Sequence, residues 1–76
     1  MIREHDRIIL TSDFAGEGLK IGDVGTVVHV HQHGEAFEVE FVALNGETVA
    51  VATVPRSHVR QVSRMDMSHA RQRVAG

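Results

Sequence analysis

The residues whose types and spacing could do chemistry are three histidines at alternate positions, His29, His31 and His33. On a strand, alternate side chains share a face, so the imidazoles would stand about 6–7 Å apart. Two histidines at that spacing can ligate one divalent ion, and imidazole suits zinc, nickel or copper. Glu38 and Glu40, on the strand that follows, would then complete the ligand set. The other parity of the same stretch holds Val24, Val28 and Val30. With those valines packed inward, His29 and His31 project into water as ordinary surface residues, and His33 falls in a turn. A β-bulge near Val27 would break the row further. The expectation is therefore no metal site, with His29 and His31 the only candidates for one.

Other catalytic groupings fare no better. Glu38 and Glu40 are neighbours on one strand face, where a solvated pair outweighs an acid–base pair. No serine or threonine sits in a nucleophile setting, and no glycine loop has phosphate-binding spacing. A chain of 76 residues has no room for an enclosed pocket. These features predict a protein that is not an enzyme and carries no cofactor. The chain has no cysteine, which removes disulfides and zinc–thiolate sites. Ile8, Ile9 and Leu10 form the one apolar run near the N-terminus, too short for a signal core or a membrane span. The expected location is the cytoplasm, with no membrane partner.

Charge separates the chain into two parts. Residues 1–54 hold three cations against nine carboxylates, a balance of −6, whereas residues 55–76 hold five arginines against Asp66, a balance of +4. The acidic body predicts a protein partner with a basic surface, met by Glu35, Glu38, Glu40 and Glu47. The alternative is contact with nucleic acid through Arg56, Arg60, Arg64, Arg71 and Arg73. Single-strand binders stack bases on exposed aromatics, and the only aromatics here are Phe14, Phe37 and Phe41, two of which read as core. A third possibility is homo-oligomerisation, with the tail of one copy covering the acidic face of another.

Strands must position these residues. Valine clusters in short runs, and no window before residue 55 sustains a helical period. Strands are predicted over His5 to Leu10, Val24 to Gln32, Ala36 to Val42, Glu47 to Val54 and Val59 to Val62. The third is the clearest, because Phe37, Val39 and Phe41 alternate with Glu38 and Glu40. Thr11 to Gly22 is a long loop anchored by Leu19, and His33-Gly34 a tight turn. Asn45-Gly46 predicts a type I′ hairpin with both residues at positive φ. Pro55 ends the fourth strand, and Arg56 to His58 fits one 3₁₀ turn. The fold class expected is all-β: a small five-stranded SH3-like barrel over residues 1–62, followed by a basic tail over 63–76. Ser63 with Asp66 gives that tail a faint helix start, and Met65, Met67, His69, Ala70 and Val74 a poor apolar stripe. An isolated helix so short is marginal, so the tail is read as a short helix or disordered, ordering on a partner.

Several blocks in order resemble one family. Residues Asp6-Arg7-Ile8-Ile9-Leu10, the run from Gly18 through Gly22-Asp23-Val24-Gly25-Thr26-Val27-Val28, Ala36-Phe37-Glu38-Val39-Glu40-Phe41 and Gly46-Glu47-Thr48 are similar to the domain of unknown function 4926 family. The resemblance covers roughly residues 2–62 and implies a small bacterial SH3-like barrel without assigned catalytic residues. It is compatible with an antitoxin- or immunity-like partner of a neighbouring gene product. Gly22 and Gly25, flanking Asp23-Val24, read as glycines that ease a tight turn into the second strand. The same turn resembles that of KOW-type nucleic-acid-binding barrels, though many small barrels need it for structural reasons alone.

Overall fold

Short β-branched runs bounded by turn residues become five strands: β1 (Arg7–Leu10), β2 (Val24–His31), β3 (Ala36–Val42), β4 (Thr48–Pro55) and β5 (Val59–Gln61). The structure is a computed structural model and describes residues 1–72; Arg73 and Val74 lie outside the described residues. The strands form one antiparallel sheet in the order β4-β3-β2-β1-β5, so β4 and β5 are its outer members. Three 3₁₀ turns connect them, at Ala15–Glu17, Gln32–Gly34 and Arg56–His58. The all-β expectation holds, and the 3₁₀ turn before the last strand stands where it was expected.

The alternation of β3 decides the two faces. Phe37, Val39 and Phe41 are buried with Ile8, Leu10, Leu19, Val27, Ala52 and Val54, while Glu38 and Glu40 are turned the other way. Fully burying a side chain such as Phe37 contributes about 1.5–3 kcal/mol, so this one face carries most of the fold's stability. Leu19 anchors the long first loop as expected. Phe14 and Leu19 exchange backbone hydrogen bonds of 2.8 and 3.1 Å, which delivers Leu19 to the core.

The valines of β2 do not all pack inward. Val27 faces Val39 across the strands, but the next pair is His29 with Glu38, so Val28 is an extra, bulged residue. Before the bulge Gly25 and Val27 point to the core; beyond it Val30 packs against the core. Val24 and Val28 are exposed, which corrects the expectation that they line the buried face with Val30. Up to the bulge Gly25 and Val27 take the core face, which turns Val24 and Val28 outward; the inserted residue then lets His29 reach solvent beside Val28 and returns Val30 to the core.

The Asn45-Gly46 turn also departs from its expected form. Gly46 alone takes a positive φ, of 90°. Its N–H donates to the Ala43 carbonyl at 2.9 Å, and the Ala43 N–H donates to the Glu47 carbonyl at 2.9 Å. This is a three-residue loop with one left-handed residue, not a type I′ turn with two. Asn45 acts through its side chain, whose Oδ1 accepts the Glu47 N–H at 3.0 Å. Left-handed non-glycine residues occur instead between β2 and β3, at Gln32 (φ 49°) and His33 (φ 57°), just before Gly34.

No helix forms in the described part of the tail. Ser63 and Asp66 make a turn: the Asp66 N–H donates to the Ser63 carbonyl at 3.0 Å, and the Ser63 N–H donates to Asp66 Oδ2 at 2.7 Å. Beyond it the chain returns to its own body, where Arg71 reaches Asp23 and the Gly18 carbonyl. Among the described residues no helix is long and apolar enough to cross a membrane.

Candidate protein-interaction surface

The bulge at Val28 places His29 and His31 on the outer face of the sheet, with His29 directly opposite Glu38. Their rings lean together, centroids 4.5 Å apart and planes at 72°, closer than straight alternation would set them. Each finds a different carboxylate: His29 Nδ1 lies 3.7 Å from Glu4 Oε2, and His31 Nε2 lies 3.7 Å from Glu38 Oε1. His33 sits in the left-handed turn and leaves the row. Glu40 turns away as well, its Oε2 accepting a 2.7 Å hydrogen bond from Thr48 Oγ1. Among the described residues, no group of three or more ligating side chains converges.

What the outer face does assemble is amphipathic. Cross-strand register sets Glu40 between Thr26 of β2 and Val51 of β4, and Glu38 between His29 and Thr53. Around these carboxylates stand exposed aliphatic side chains: Val24 at 40%, Val28 at 43%, Val42 at 46% and Val51 at 50% exposure. Of the four glutamates singled out, Glu38 and Glu40 share this face. Glu47 lies in the β3–β4 hairpin, where Asn45 Nδ2 donates to its Oε1 at 3.1 Å. Glu35 is at the opposite end of β3, its carbonyl accepting the Arg56 N–H at 3.0 Å. The acidic set is therefore a pair in the middle of the sheet with one member at each end of β3.

Two of the five arginines singled out, Arg60 in β5 and Arg71 in the tail, are committed within the chain. Arg60 holds Asp66 through two hydrogen bonds, Nη1 to Oδ2 at 3.0 Å and Nη2 to Oδ1 at 2.7 Å. The Arg60 guanidinium, with the Ser63 N–H, holds the Asp66 carboxyl far below the usual carboxylate range. Arg71 donates to both oxygens of Asp23, at 2.8 and 2.6 Å, and to the Gly18 carbonyl at 2.9 Å. Burial pushes the Asp23 carboxyl up, but the bonds from Arg71 and the Lys20 N–H, with His69 nearby, outweigh it and leave it lowered. Arg56 and Arg64 are exposed, and Arg73 lies outside the described residues. Where the tail meets the body, an open cleft of about 400 Å³ is lined by Val24, Val42, Val49, His69 and Arg71.

The sequence pointed to the acidic residues and the histidines but not to Glu4, the exposed valines or the Asp23–Arg71 clasp. Glu4 carries no local signal, being 25 residues from His29. Asp23 and Arg71 are 48 residues apart, and only opposite charge links them. His58 was also passed over. Its ring meets Phe14 edge-on with centroids 5.6 Å apart, and its buried Nδ1 has no hydrogen-bond partner among the described residues.

A family model described as Domain of unknown function (DUF4926) matches residues 4–61, a span that contains all five strands. No curated protein and no solved structure matches the chain.

Proposed function

The chain belongs to the DUF4926 family, and on that scaffold we propose a non-catalytic protein-interaction module that docks a basic partner on the outer face of β2, β3 and β4. The observation that carries this reading is the pairing of Glu38 and Glu40 with the half-exposed valines Val24, Val28, Val42 and Val51. Aliphatic surface supplies the area a complex must bury, and the carboxylates select a partner presenting lysine or arginine. The strand order and the 3₁₀ turn before β5 support an SH3-like barrel as the frame, an architecture that leaves one sheet face free for docking. The partner is the product of a neighbouring gene, toward which the chain acts as an antitoxin- or immunity-like protein. Nucleic-acid contact is the weaker alternative, because Arg60 and Arg71 already serve Asp66 and Asp23.

Co-purification with the neighbouring gene product, followed by titration calorimetry, tests the reading. Glu38→Lys/Glu40→Lys should weaken the complex by at least about tenfold, equivalent to about 1.4 kcal/mol, while leaving the fold intact. Absence of a complex, or an affinity indifferent to the double reversal, would refute it.

A further inference from the structure

The outer edge of β4 is an unguarded strand. Its residues Thr48–Pro55 carry no charge. Edges normally carry lysine, proline or a bulge to prevent pairing with another chain. Here those devices stand only at the ends: Pro55 closes the strand, and a register shift between Phe41 and Val42 leaves Val49 as the extra residue at its start. Between them, Ala50 to Val54 is a regular stretch with no obstruction.

The ladder shows which backbone groups are free. The Arg56 N–H donates to the Glu35 carbonyl, which makes Pro55–Ala36 a non-hydrogen-bonded pair and Val54–Phe37 a hydrogen-bonded one. By alternation Ala50, Ala52 and Val54 turn their backbone groups toward β3, and Val51 and Thr53 turn theirs outward. Among the described residues nothing bonds to the N–H of Val51 or Thr53. The other outer strand is different. β5 is three residues long, contains Arg60, and is flanked by the Arg60–Asp66 pair.

We propose that β4 pairs antiparallel with β4 of a second copy of this chain, about a two-fold axis at Ala52, joining two sheets into one. In that register Val51 of each copy faces Thr53 of the other, and each such pair exchanges both backbone hydrogen bonds. The stretch from Ala50 to Val54 is symmetric about Ala52 in the groups it offers, so one edge satisfies the other. The flanks select a second copy over another strand: beyond Ala50 the extra residue Val49 shifts the register by one, so residue 48 faces residue 55 and Glu47 of each copy comes opposite Arg56 of the other. Both side chains are exposed, and neither has an ion-pair partner among the described residues. The acidic outer face is a separate surface, and this pairing does not rest on its proposed use.

Light scattering and sedimentation of the full chain test the pairing. The expected species has twice the chain mass and dissociates on dilution. Thr53→Pro removes an outward N–H without touching the ladder to β3, and should give a monomer with unchanged circular dichroism. Glu47→Arg should raise the dimer dissociation constant about tenfold, and Glu47→Arg/Arg56→Glu should restore it. The charge variants lie on exposed sites, so they decide the matter even if Thr53→Pro fails to fold. A wild-type chain that stays monomeric at every concentration overturns the proposal. So does a dimer that survives Thr53→Pro, or a double reversal no better than the single one.

Discussion

Replacing Gly25 by alanine adds one methyl group to β2 at a point where the core leaves no space for it. A Cβ there would lie 2.4 Å from Val39 Cγ1, 2.9 Å from Phe41 Cε1 and 3.0 Å from the Glu40 carbonyl oxygen. Carbon atoms rest comfortably at about 3.5–4.0 Å, so the first contact is too short by more than an ångström. Val39 is fully buried and Phe41 nearly so, and neither can swing into solvent. Forcing Val39 off its rotamer costs roughly 0.5–1.5 kcal/mol, and the carbonyl contact moves only if β3 itself shifts. Against this stand a gain of about 0.8 kcal/mol for burying the methyl group and about 0.4–1 kcal/mol from restricting the unfolded chain. Overpacking strain typically costs about 1–3 kcal/mol, and a contact that only a shift of β3 can relieve puts it at the top of that range, so a net loss of about 1 kcal/mol is expected.

Urea unfolding is the direct assay: the midpoint should fall with the slope unchanged, and each kcal/mol should lower the melting temperature by roughly 4–8 °C in a domain of this size. The identity of the colliding atom adds a second arm. Val39→Ala removes Cγ1, so Gly25→Ala/Val39→Ala should be at least about 1 kcal/mol more stable than the sum of the single effects. A Gly25→Ala variant within about 0.5 kcal/mol of the parent, or strict additivity in the cycle, would refute the packing argument.

The remaining predictions concern the turn and the tail. His33→Gly should stabilise the domain by about 0.5–1 kcal/mol, because relief of left-handed strain exceeds the added freedom of the unfolded chain; destabilisation on urea unfolding would show that the imidazole has a structural role. Arg71→Gln should free the tail and speed tryptic cleavage after Arg64 severalfold, while changing global stability by less than about 1 kcal/mol; an unchanged cleavage rate would deny the clasp. The Asp23 carboxyl is held below its usual range in the fold, so the clasp is at full strength above the ordinary carboxylate titration and is lost as pH falls below about 4. Nuclear magnetic resonance of the Arg71 side chain follows this loss, and a signal constant down to about pH 2 would contradict it.

Much of the fold was legible because its signals are local. The alternation of β3, the stop at Pro55 and the 3₁₀ turn at Arg56–His58 each depend on a few consecutive residues. Two turns were placed correctly but typed imperfectly. Asn45-Gly46 permits two left-handed residues, yet the loop closes with one, since the Asn45 side chain can bond to the Glu47 N–H instead. Gly25 was read as a turn glycine alongside Gly22. Only Gly22 has the positive φ, of 93°, that this reading requires; Gly25 is needed because Val39 and Phe41 press against it. Local sequence cannot distinguish a glycine kept for its backbone from one kept for space. The clasp of Asp23 and Arg71 escaped for a different reason, since a surface rich in both charges offers each arginine many carboxylates of equal merit.

The candidate surface shows why register matters more than residue type for this chain. Hydropathy treats each valine of β2 alike, and strict alternation assigns Val24, Val28 and Val30 to one buried face. The bulge at Val28 separates them, sending Val30 inward and leaving Val28 beside His29 in solvent. Cross-strand pairing then brings Val51 alongside Glu40 and Thr53 alongside Glu38, from a strand that carries no charge of its own. Glu38 and Glu40 alone are an acidic row that water satisfies fully and that gives a partner little reason to bind. With Val24, Val28, Val42 and Val51 around them, they form the amphipathic surface on which the proposed docking rests. The extra residue in β2 adds Val28 to that face beside His29, so deleting Val28 would remove one of its four valines as well as change the local twist.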